Sequence, residues 1–100
     1  MKKGGVVYML ANKANTTLYV GVTSDLIKRL DEHKSGKYSR SFSNRYNLTK
    51  LVYFEGFHSI EEAIAREKQV KAGSRKKKDL IISTVNPNWN DLSGKLDEWL

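Results

Sequence analysis

The chain has no cysteine. Disulfides and thiolate metal centres are therefore excluded, and a reducing, cytoplasmic setting is the expectation. No apolar run approaches the ~20 residues of a membrane-spanning helix, so no membrane partner is expected. The basic start, Met1-Lys2-Lys3, is followed by a segment interrupted at Gly4, Gly5, Tyr8 and Asn12. It reads as a strand rather than a secretion signal. Asn15 and Asn47 open Asn-x-Thr sequons, which without a secretory signal are chance matches. Repeats, low-complexity tracts and linkers are missing too. One domain over residues 1–100 is expected, with a core over about 5–83 and an irregular tail over 84–100.

What is present is a globular composition with an excess of positive charge. The 100 residues are 39% hydrophobic with ten aromatics, enough for a real core. Eighteen Lys and Arg stand against eleven Asp and Glu, a net charge of +7, and the pI is near 9.7. Cations gather over 34–45 and 75–78, whereas acids pair at Asp31 and Glu32, Glu61 and Glu62, and Asp97 and Glu98. Segregation of this kind is the electrostatic footprint of a phosphate-backbone binder.

The pattern predicts strands over 6–11 and 18–22, joined by turn chemistry over 12–16 into a hairpin. Ser24 is placed to cap a helix over 25–34 with Asp25 in its first turn. Leu26, Ile27 and Leu30 form that helix's apolar stripe, and Gly36 suits its end. A third strand is expected over 48–57. Ser59-Ile60-Glu61-Glu62 is a capping box that opens a helix to about Ala72, stopped by Gly73. Ser74 caps a last helix over 75–83, and Trp89 offers an anchor for the tail. These elements make a small α+β domain with a three-stranded sheet and helices packed on it.

The residues that carry chemistry are interleaved with these elements. Tyr8 and Tyr19 fall on neighbouring strands. Arg29 and His33, spaced i, i+4, share one helix face. Glu67 follows Ile60, Ala63 and Ile64 and precedes Val70 on one helical stripe whose other members are all apolar. A carboxylate at that position needs a partner, and a divalent metal is one, since Mg²⁺ takes one or two carboxylates plus waters and phosphate oxygens. Two phenols, a guanidinium, an imidazole and a carboxylate together suit metal-assisted phosphodiester chemistry. Tyr38, Phe42 and Tyr46 alternate with Lys37, Arg40 and Arg45, a mixture able to stack on bases and track a backbone.

In these residues the chain resembles the GIY-YIG nuclease superfamily. Val6-Val7-Tyr8 stands in place of Gly-Ile-Tyr, and Tyr19-Val20-Gly21 in place of Tyr-Ile-Gly. Arg29, ten residues after Tyr19, matches the family arginine. His33 falls where the family has histidine or tyrosine, and Glu67 fits the metal-binding glutamate. Ser74-Arg75 with Lys78, and Asn86-Pro87-Asn88-Trp89, are similar to the small standalone bacterial group called YhbQ-like or UPF0213. The family's lysine three residues after the second tyrosine is Val22 here, and its late asparagine has three candidates, Asn86, Asn88 and Asn90.

The resemblance implies a three-stranded antiparallel sheet flanked by helices, and hydrolysis of DNA with a single Mg²⁺ or Mn²⁺ held by Glu67. RNA stays open as a substrate. It implies catalytic roles for Tyr8, Tyr19, Arg29, His33 and Glu67. Nucleic-acid contacts are expected from Lys37, Tyr38, Arg40, Arg45, Ser74, Arg75, Lys76, Lys77 and Lys78. The chain has no room for a separate recognition domain, so a homodimer or a partner protein would supply selectivity. Blander roles compete with each of these. The tyrosines suit half-buried strand positions, His33 suits a helix C-terminus, and Glu67 suits a surface pair with Lys71. The rival to an endonuclease is a nucleic-acid-binding module that keeps the fold without turnover.

Overall fold

The computed structural model describes residues 4–34 and 46–96. The expected nucleic-acid contacts Lys37, Tyr38, Arg40 and Arg45, and the helix stop at Gly36, lie outside them. Three strands, β1 (Gly5–Ala11), β2 (Leu18–Thr23) and β3 (Lys50–Phe57), form an antiparallel sheet in the order β2-β1-β3. Helix α1 (Leu26–Lys34) lies between β2 and β3 in sequence, and α2 (Ile60–Ala72) and α3 (Arg75–Val85) follow β3. β1 is buried along its whole length, as expected for a central strand of β-branched and large apolar residues.

Alternation along β1 divides the core in two. Val7, Met9 and Ala11 point to one face, where they meet Ala63 and Val70 of α2 and Ile82 of α3. Val6, Tyr8 and Leu10 point to the other, against Leu26 and Leu30 of α1 and Leu48 and Leu51. The sheet is thus a wall with α1 on one side and α2 and α3 on the other. A register shift between Met9 and Leu10 leaves Val52 as the extra residue of β3. The bulge keeps both Val52 and Tyr53 on the α2–α3 side.

Most helix signals fall where the sequence puts them. Ser59 Oγ accepts the Glu62 N–H, the N-cap half of a capping box, and its hydroxyl donates to the Glu62 carboxylate. Ser74 accepts the Lys77 N–H. Four expectations are corrected. The cap of α1 is Asp25, not Ser24: its Oδ1 accepts the Lys28 N–H at 3.2 Å, while Thr23 Oγ1 accepts the Asp25 N–H. Ile27 is 41% exposed, because the face covered by the sheet is the one carrying Leu26 and Leu30. The third strand starts at Lys50 rather than at 48, and the last helix runs on to Val85.

The segment after α3 is a tied strap. Asn86 is buried, and its side-chain amide donates to Val52 O and Asn90 O while its Oδ1 accepts the Asn90 N–H. Leu92 N donates to Leu51 O at 2.7 Å, and the Leu51 N–H goes to Asp91 Oδ1. Leu96 then packs into the α1-side core. The strap therefore runs from one face of the sheet, past β3, to the other. Its Trp89 adopts a positive φ of 52°, a conformation that a bulky residue keeps only when its surroundings hold it.

Candidate active site

The β1–β2 register settles what sequence leaves open. Tyr8 faces Gly21 directly, and Tyr19 faces Leu10, so the two tyrosines are diagonal neighbours on one face. Their ring centroids lie 6.1 Å apart. Gly21 makes this possible by lacking a side chain. A Cβ there would sit 2.6 Å from the Tyr8 ring and hydroxyl and 2.8 Å from the Tyr19 ring. The phenols meet over a bare stretch of backbone.

Helix α1 brings His33 onto the same spot. Its Nε2 is 3.2 Å from the Tyr8 hydroxyl, and its ring stands edge-on to both tyrosines, at 6.1 Å from Tyr8 and 5.7 Å from Tyr19. Tyr8 is fully buried. Burial, with the neighbouring Tyr19, pushes its phenol well above the usual tyrosine range, and the Arg29 guanidinium only partly offsets this. Tyr8 is therefore a neutral phenol at physiological pH. Burial and the Arg29 charge lower the His33 pKa from 6.5, against a smaller opposing pull from Glu32. The fold therefore favours the neutral form of His33, and neutral imidazole can accept a proton.

Arg29 stands at the border of this cluster and is paired with Glu32 at 3.5 Å. Beyond it opens a polar depression of about 340 Å³ lined by Thr23, Ser24, Asp25, Lys28, Arg29 and Glu32. Arg29 thus faces the tyrosine cluster and a space open to solvent.

Glu67 sits on α2, across the sheet from the cluster. Its side chain is 15% exposed and pairs with Lys71 Nζ at 3.2 Å. The expected apolar stripe is narrower than its sequence: Ala63 and Val70 are buried, but Ile64 is 38% exposed. Lys71 also lines a depression of about 300 Å³ with Leu18, Tyr19, Val20 and Lys78. Leu18 and Val20 belong to the α2 side of the sheet and Tyr19 to the α1 side. A space touched by all three lies over the edge of β2, and Lys71, the partner of Glu67, lines it from α2.

Among the described residues no three His, Cys, Asp or Glu side chains gather into a metal site. The chemistry of the donor set fits a hard cation that needs a single protein carboxylate and completes its shell with water and phosphate. Glu67, largely shielded and with an exposed lysine as its partner, suits such an ion.

The basic turn of α3 divides into two kinds of residue. Arg75 is a strut. Its Nε pairs with Asp79 at 2.7 Å, Nη1 donates to Thr16 O and Nη2 to Asn15 O, and its guanidinium lies 5.8 Å from the Trp89 ring centre. Lys78 Nζ caps α2 by donating to Gly73 O at 2.7 Å. Ser74 is spent on its helix cap. Lys76 and Lys77 are exposed. Asn86, a candidate for the family asparagine, is a buried tie of the strap. Sequence reading missed the spacing role of Gly21 and the Glu32 partner of Arg29. The first was legible, since Gly21 closes the motif Tyr19-Val20-Gly21.

Comparison with known proteins gives a consistent picture. A family model described as the GIY-YIG catalytic domain matches residues 4–90. A UPF0213 protein of Syntrophus aciditrophicus is 40% identical over 76 residues, covering 76% of this chain and 86% of its own. One from Bacillus pumilus is 38% identical over 85 residues, covering 85% and 86%. The solution NMR structure of a UPF0213 protein from Bacillus halodurans is similar with a TM-score of 0.56 and 31% identity, over 89% of this chain and 93% of that one.

Proposed function

The chain belongs to the GIY-YIG catalytic-domain family, a nuclease superfamily, and from that premise we propose that it is an endonuclease hydrolysing DNA phosphodiester bonds with one Mg²⁺ or Mn²⁺. It would be structure-sensing or weakly sequence-selective and act in repair or recombination. The observation that carries this reading is the meeting of Tyr8, Tyr19 and His33 over Gly21, with Arg29 at the rim. The bland reading of half-buried strand aromatics accounts for either tyrosine alone. It does not account for an imidazole packed edge-on against both.

The roles follow from exposure and protonation. Tyr8 has no solvent-accessible surface, so it cannot touch a substrate and acts as a positioning residue. Tyr19, partly exposed, is the phenol that meets and orients the attacking water. The Tyr8 hydroxyl is 3.2 Å from His33 Nε2, and its ring packs against that of Tyr19 at 6.1 Å between centroids. With His33 protonated at Nδ1, its Nε2 accepts from Tyr8. The proton lost by the water is then relayed from Tyr19 through Tyr8 to His33. Arg29 presents its fork to the charge that grows on the phosphoryl oxygens. Glu67 would hold the divalent cation, which supplies polarisation of the scissile phosphate and stabilisation of the leaving oxygen. Lys76 and Lys77 would track the nucleic-acid backbone as exposed point charges.

The competing reading, a binding module without turnover, draws support from the Glu67–Lys71 pair, which occupies the carboxylate. Cleavage of duplex, branched and single-stranded DNA and of RNA, in Mg²⁺ or Mn²⁺ against EDTA, separates the two. Metal-dependent cutting that disappears in Glu67→Ala with binding retained is expected. Binding without cutting on every substrate would leave the module.

A further inference from the structure

Lys71 occupies a position that the family motifs do not explain. Its ammonium is 3.2 Å from Glu67 Oε2, yet its side chain is 52% exposed while that of Glu67 is 15% exposed. One partner is held and the other can leave. The i, i+4 order, with the acid on the N-terminal side, is the favourable one on a helix, but such pairs are weak. The same lysine lines the depression over the edge of β2, together with Tyr19 and Lys78. Lys78 is tied back onto the last carbonyls of α2. Lys71 is therefore the more exposed of the two cations that line that depression.

Resting on the reading of Glu67 as the metal ligand, we propose that Lys71 is an exchangeable counter-ion. It holds the Glu67 carboxylate in the metal-free protein, is displaced when a divalent cation binds there, and swings into the depression beside Tyr19 to meet a phosphate oxygen of the nucleic acid. The shielded carboxylate needs a partner in both states, and the exchange provides one in each. It also couples the two ligands. Lys71 is released toward phosphate when the cation arrives, so metal and nucleic acid favour one another's binding by the same factor.

The test titrates Mn²⁺ alone into wild type, Lys71→Met, Lys71→Gln and Glu67→Gln, with thermal melts confirming that each folds. Glu67→Gln should lose Mn²⁺ binding. Both Lys71 variants should bind Mn²⁺ more tightly. The gain should lie between about twofold, the strength of an exposed i, i+4 pair, and about tenfold, the repulsion between a divalent and a monovalent cation ~6 Å apart in water. A second arm measures DNA affinity in EDTA. Glu67→Gln frees Lys71 and should strengthen binding, with the salt slope steeper by about one unit. That gain should vanish when Lys71→Met is added. Unchanged or weaker Mn²⁺ binding in the Lys71 variants, with Glu67→Gln still defective, overturns the exchange alone. Wild-type Mn²⁺ affinity in Glu67→Gln overturns the metal assignment, and the exchange with it.

Discussion

At Tyr8 and Tyr19 the same side chain is put to two uses. One phenol is sealed under α1 and kept neutral, and the other reaches the surface. Tyr8→Phe should therefore leave KM for nucleic acid nearly unchanged while lowering kcat, because it breaks a relay without touching substrate. Steady-state kinetics beside Tyr19→Phe checks this. Gly21→Ala should be more damaging than its size suggests, since the added methyl meets both phenols. A cost of about 1–3 kcal/mol, the usual range for overpacking, should appear as a lower Tm together with lost cleavage. His33 gives a pH signature. Burial and the Arg29 charge lower its pKa in the fold from 6.5, so the folded state favours the neutral imidazole, which prevails above that value. Its contribution to stability is then fully present, and it is lost as pH falls from 6.5 through the lowered folded value. The acid limb of the rate profile should fall below pH 6.5 and disappear from the residual activity of His33→Asn.

Elements place these residues, and most elements were legible in the sequence. The capping box at Ser59 and the cap at Ser74 name their own hydrogen bonds. β1 could be read from its apolar run, although only the sheet shows that it is central. Ile27 could not be placed, because three neighbouring apolar residues on a helix do not say which the sheet will cover. The pairing of Tyr8 with Gly21 was hidden for a different reason: register depends on where the hairpin loop closes. Asn12 closes it, accepting from the Thr16 and Thr17 N–H groups, and Asn15 turns the chain at φ 59°. Arg75 looked like a phosphate contact and is the clamp on this loop from α3. Arg75→Ala should thus lower the Tm, whereas Lys76→Ala with Lys77→Ala should leave the unfolding free energy within about 0.5 kcal/mol of wild type. The double variant should weaken DNA binding and flatten the salt dependence by about two units of slope, at roughly 0.9 per phosphate contact.

On the scale of the whole molecule, two cores share one sheet and the strap joins them. Asn86→Ala would strand Val52 O and both backbone groups of Asn90. A loss of about 1–3 kcal/mol is expected for the unsatisfied buried groups, readable by chemical denaturation. The chemistry sits at the opposite end of the sheet from that strap, at β2. Tyr19 from one face and Lys71, the partner of Glu67, from behind the other line one depression there. This convergence could not be read from the chain, because nothing in the spacing of residues 19 and 67 reports which edge of the sheet α2 overhangs. The net charge of +7 favours a polyanion but does not choose between holding it and cutting it. The most direct test is cleavage of the DNA and RNA panel by wild type, Glu67→Ala and Tyr19→Phe, each in Mn²⁺ and in EDTA. Cutting by wild type in Mn²⁺ alone, lost in both variants while binding persists, is the predicted result. Cutting by Glu67→Ala at the wild-type rate, or wild-type binding with no cutting in any condition, would contradict it.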